Sequence, residues 1–126
     1  MQPNDFRRIA LQMQDAIEGE HMAHPDFRAH GRIFATLHPD GKQGMVKLTP
    51  DQQHVFLREH PKTFTPASGA WGRQGCTMVQ LSAVDEDTLG EAMTLAWQAA
   101  ASDKARSRKL KVKTRKKTTA KIKRRV

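Results

Sequence analysis

Thirteen of the 22 lysines and arginines in this chain lie between Lys104 and Arg125, beside one acid, Asp103. A stretch so charged and so poor in apolar side chains cannot build a core, because repulsion and conformational entropy outweigh the little surface it can hide. The fold must come from what precedes it. There, nine cations meet twelve acids, so a body of charge −3 carries a tail of charge +12, and the overall +9 is a tail property. The 126 residues accordingly divide into one domain over 1–102 and a Lys/Arg-rich tail over 103–126. The tail is expected to be disordered by itself, although the last helix can extend a turn or two into it.

No apolar run exceeds three residues, against the roughly 18 that a membrane-spanning helix needs. The start, MQPNDFRR, lacks the basic segment, apolar stretch and small-residue cleavage site of a secretory signal. A lone cysteine, Cys76, cannot form an internal disulfide, which suits a reducing compartment and makes the cytoplasm the expected location.

Within the body, Phe6, Ile9, Ala10, Met13, Ala16 and Ile17 recur at helical spacing and predict a first helix capped by Asn4 and ended by Gly19. The polar stretch from Glu20 to His30, interrupted by Pro25, reads as a short or irregular edge strand. Arg32 to Leu37 and Met45 to Leu48 alternate around the turn material PDGKQG and predict a β-hairpin reversed at Asp40-Gly41. Thr49, Pro50 and Gln52 form a capping-box pattern that opens a short second helix ending before Pro61. After a Pro- and Gly-rich loop over 62–75, Thr77, Val79 and Leu81 share one face of a central strand. The last helix begins near Asp85, buries Leu89, Ala92, Met93, Ala96 and Ala100, and tolerates Gly90 at about 1 kcal/mol.

Chemistry-bearing residues are sparse. Of six histidines, His21 and His24 are three apart, but in an extended stretch such positions face opposite sides, and neither CxxC nor HExxH accompanies them. They read as surface or capping residues, and no metal or cofactor is expected. Cys76 reads as a small buried thiol, since an activated nucleophile needs a placed base and an oxyanion site. P-loop, GxGxxG and GxSxG signatures are absent, and no nucleophile, base and stabiliser can be named together, so the expectation is a non-enzymatic protein.

The densest non-core constellation is PASGAWGRQGCT, with Trp71, Arg73 and Gln74 among three glycines. Arginine and glutamine suit guanine and adenine edges and tryptophan can stack, which makes a binding loop one reading. In the other, Trp71 packs onto the sheet and the glycines only shape the turn.

HPDFR at His24 to Arg28, GRIFAT at Gly31 to Thr36, the Thr49-Pro50 helix start and GAWGRQGCT at Gly69 to Thr77 together resemble the MmcQ/YjbR-like family of small bacterial proteins. The resemblance covers about Asp5 to Ala101. It implies an α+β fold similar to the frataxin-like proteins, an antiparallel β-sheet with helices packed on one face, carrying a double-wing DNA-binding arrangement. Nucleic-acid binding through the sheet and its loops is implied with it. The body residues able to serve are Arg28, Arg32, Lys42, Lys47, Trp71, Arg73 and Gln74.

Outside that resemblance, Lys109, Lys111, Lys113, Arg115, Lys116, Lys117, Lys121, Lys123, Arg124 and Arg125 equip the tail to neutralise phosphates, and its lack of aromatics makes it insensitive to sequence. The expected partner is DNA, with RNA as the alternative. The competing reading is a small protein- or ligand-binding module, with Trp71 and Arg73 lining a pocket or docking surface. The position of the body's cations separates the two: one shared basic face favours nucleic acid, whereas neutralisation by nearby acids favours the module.

Overall fold

A computed structural model describes the backbone of residues 1–113 and the side chains of residues 1–102. In chain order the elements are α1 (Pro3–Leu11), β1 (Ile17–His21), β2 (His24–Ala29), β3 (Arg32–Leu37), β4 (Gln43–Lys47), α2 (Pro50–Glu59), β5 (Phe64–Pro66), α3 (Gly69–Arg73), β6 (Cys76–Gln80) and α4 (Glu86–Lys113). The six strands form one antiparallel sheet in the order β1-β2-β3-β4-β6-β5. Helices α1, α2 and α4 cover one face, giving the α+β architecture expected.

Several elements follow directly from their residues. Thr49 and Gln52 cap α2 reciprocally: the Gln52 N–H donates to Thr49 Oγ1 at 3.2 Å and the Thr49 N–H to Gln52 Oε1 at 3.0 Å. Gly41 takes φ +72° in the β3–β4 turn, as the Asp40-Gly41 pair requires. Asp85 caps α4 by accepting the Thr88 N–H at 2.7 Å. The core lies between the helices and the sheet, where Phe6, Phe27, Phe34, Val46, Val79, Leu89 and Met93 are all fully buried.

Three expectations are corrected. Helix α1 stops at Leu11 rather than reaching Gly19, and its cap is Gln2, whose N–H donates to Asp5 Oδ2 at 2.9 Å; Asn4 instead accepts from Arg7 Nη1. The apolar spacing that suggests a longer helix persists to Ile17, but Ile17 to His21 also alternates. Pairing with β2 over five residue pairs decides for a strand, leaving Ile17 exposed at the sheet edge. Glu20 to His30 is therefore no irregular edge: it closes a full hairpin. The chain turns at Met22 and Ala23, both at positive φ, and Pro25 lies near the start of the second strand, where the loss of one donor is tolerated. Finally, the β2–β3 register slips between Phe27 and Arg28, so that Phe27 pairs with Ala35 but Arg28 with Ile33. This bulge turns both Phe34 and Ala35 into the core and puts Ile33 on the face without helices.

Helix α4 continues past Ser102 to Lys113, about three turns, longer than the turn or two expected. The backbone of Lys109, Lys111 and Lys113 belongs to it, whereas Arg115, Lys116, Lys117, Lys121, Lys123, Arg124 and Arg125, and the disorder expected of them, lie outside the described residues.

Candidate nucleic-acid interface

The WGRQG string is built as a rigid corner. Gly72 packs so closely on the loop between β5 and α3 that a Cβ there would lie 1.9 Å from the Ala67 carbonyl oxygen. Gly75, at φ +111°, would drive a Cβ to 1.9 Å from the Leu48 carbonyl oxygen, and that approach lets its own carbonyl accept the Leu48 N–H. The side chain of Gln53, buried on α2, donates to the carbonyls of Gly72 and Cys76, both at 3.0 Å, and Thr77 Oγ1 donates to the Gly75 carbonyl at 2.8 Å.

Sequence reasoning misses Gln53, although a glutamine three residues before Phe56 on the inward stripe of α2 is the available signal. We expect Gln53→Leu to cost roughly 2 kcal/mol, since it leaves two buried carbonyls without their donor, and to lower the melting temperature by about 10 °C. An unchanged melt would mean that those carbonyls find other donors.

This corner presents Trp71, Arg73 and Gln74 to solvent. Trp71 is 64% exposed rather than packed on the sheet, so the structural reading of that tryptophan is corrected. It overhangs the face of the sheet without helices, where it borders a groove of ≈ 320 Å³ with Ile33, Thr36, Met45 and Lys47. A second cavity, ≈ 540 Å³, opens at the end of the sheet between α4 and the start of α2, and Arg32, Lys47 and Gln74 line it. The two cavities share Ile33, Lys47 and Cys76. Among the described residues no aspartate or glutamate lines either one. Other acids are paired, as at the starts of α1 and α4, where Asp5 and Glu86 meet Arg8, and Asp51 lies in the first turn of α2 beside the second cavity.

The remaining candidates are dispersed. Lys42 lies at the opposite end of β4 from Lys47, in the turn, and Arg73 is exposed without bordering either cavity. Arg28 is already engaged: Nε and Nη2 donate to the two carboxylate oxygens of Asp26 at 2.8 and 3.0 Å. Cys76 is buried, and burial pushes its thiol upward against the weaker pull of Lys47, the direction that favours the neutral thiol.

Asp26 heads a polar cluster that sequence reasoning also misses. Its carboxylate is fully covered yet lies beneath partly exposed groups, Arg28 on one side and the His21 ring on the other, with His21 Nδ1 2.7 Å from Oδ2. The Arg28 guanidinium, followed by His21, holds that carboxyl below the usual carboxylate range despite its burial. The hairpin brings His24 to His21, with ring centroids 5.9 Å apart, and His38 to His24 at 5.5 Å. The expectation that His21 and His24 point apart therefore fails, because they are cross-strand partners flanking the turn rather than neighbours on one extended strand. Among the described residues no group of three His, Cys, Asp or Glu is placed to hold a metal.

The fold is shared with a solved structure, the crystal structure of the Deinococcus radiodurans protein DR2400, whose family-model domain is DUF419. The two superpose with a TM-score of 0.62 over 75% of this chain and 74% of that one, at 16% identity, a likeness of fold. No curated protein matches the chain closely enough to count as a relative. The family model YjbR matches residues 11–99, a span that takes in all six strands, the WGRQG corner and the part of α4 that packs on the sheet. The chain belongs to the YjbR family.

Proposed function

We propose that this protein binds nucleic acid, DNA in the first place, without catalysing a reaction. The basic tail neutralises phosphates, and the end of the sheet orients the bound strand. One observation carries the reading: Ser102, from which the tail departs, lines the same cavity as Arg32, Lys47 and Gln74, and among the described residues no acid lines it. Two of the body's cations, Arg32 and Lys47, thereby lie beside the point in the chain where the tail begins, in spite of the body's net charge of −3. Phosphate contacts supply most non-specific affinity, so the location of the charge matters more than its total. The competing module reading draws on the apolar groove beside Trp71, but it leaves the cations around Lys47 and the +12 tail without a role.

The body's share is tested with an Arg32→Ala/Lys47→Ala variant of the full chain. Both side chains are exposed, so the fold should persist. Binding to duplex DNA should then show a log K against log salt slope shallower by about 2, since each phosphate that goes without its cation flattens the slope by roughly 0.9. An unchanged slope would assign all phosphate neutralisation to the tail, and no DNA binding by the parent protein would remove the proposal.

A further inference from the structure

We infer that the groove under Trp71 seats the base of one unpaired nucleotide, whose phosphate lies across Lys47 toward Arg32. The inference rests on the nucleic-acid reading above and narrows it to a class of substrate. The juxtaposition is of two unlike cavities sharing one cation. The first, ≈ 320 Å³, is mostly apolar, with Ile33 and Met45 on the sheet and the exposed Trp71 ring at its rim. The second, ≈ 540 Å³, holds Arg32 and Gln74, and Lys47 stands between the two. A nucleotide has the same anatomy, a flat apolar face joined through a sugar to an anion.

The first cavity lies at the small end of ligand pockets, which run to about 300–1,000 Å³. Its few polar groups suit a base edge: Thr36 and Ser68 offer hydroxyls, and His21, with Nδ1 committed to Asp26, keeps Nε2 for a ligand. A purely apolar guest, such as a leucine side chain of a protein partner, would fill the groove but would leave Lys47 and Arg32 unused. An unpaired nucleotide uses both cavities, and among the described residues no acid lines either one, which suits an anionic guest. Bases in an intact duplex are paired and stacked and cannot enter, so the groove selects single strands or unpaired sites.

The test compares an oligothymidine with a blunt duplex of equal length, binding to full-length protein at fixed salt. Trp71→Ala should weaken oligothymidine binding about tenfold, the usual effect of losing one base–aromatic stack, and leave the duplex unaffected. Trp71→Phe should restore most of the loss, and the salt slope should stay constant because every phosphate keeps its cation. The exposure of Trp71 keeps both variants folded. Equal losses on both ligands, or none on oligothymidine, would overturn the inference while the nucleic-acid reading stands. Failure of the parent protein to bind either ligand would overturn both.

Discussion

Replacing Met93 with aspartate is expected to unfold the protein, with loss of the helical dichroism and of any cooperative melt. Met93 is fully buried on α4, in one core cluster with Phe6, Phe34, Val46 and Leu89. Removing its side chain alone costs about 2–5 kcal/mol, and placing an unpaired carboxylate in that space adds several more. The sum reaches the whole stability of an ordinary small domain, about 5–15 kcal/mol. Leu89→Asp, one turn earlier and equally buried, should behave in the same way. A folded, soluble Met93→Asp protein would mean that α4 presents another face to the sheet.

Those two positions are legible from spacing alone, as are the Thr49–Gln52 cap, the Asp40-Gly41 turn and the strand through Val79. In each case the local signal and the tertiary environment agree. The sequence misleads where two periodicities overlap. The apolar stripe of α1 runs on in register to Ile17, while Ile17-Glu18-Gly19-Glu20-His21 also alternates, and only the ladder to β2 settles which wins. The bulge that buries Phe34 beside Ala35 has no marker in the sequence, because no glycine or proline sits there.

The site is legible in composition and obscure in arrangement. Arg32, Lys47 and Gln74 are candidates for their chemistry, but their convergence depends on three different segments meeting at one end of the sheet. The engagement of Arg28 depends on Asp26, two residues earlier on the same face of β2, a spacing visible in sequence but ambiguous while Glu20 to His30 reads as irregular. Tryptophan is usually covered, which favours a packed Trp71 when only the sequence is in view. It stands exposed because Gly72 and Gln53 hold the corner backbone tightly against the body and turn the indole outward.

The tail carries the largest expected effect on binding. If about eight of its 13 cations meet phosphates, the tail alone contributes a log K against log salt slope near −7 for duplex DNA, to which Arg32 and Lys47 add about −2. The tail's share by itself lowers affinity about 10⁴-fold between roughly 50 and 200 mM salt. Sequence preference should be weak, because side chains that neutralise phosphates carry no information about bases. Glutamine at all 13 tail cations between Lys104 and Arg125 removes that charge while keeping chain length, and glutamine forms helix nearly as well as lysine, so α4 need not shorten. The slope should collapse toward about −2, what Arg32 and Lys47 can supply, on a body whose charge of −3 repels DNA at long range. A variant that kept the parent slope would place the phosphate-binding cations on the sheet instead. On the proposed reading the charge map orders the effects: the tail should set affinity and its salt dependence, and Arg32 and Lys47 at the end of the sheet should set how the bound strand lies.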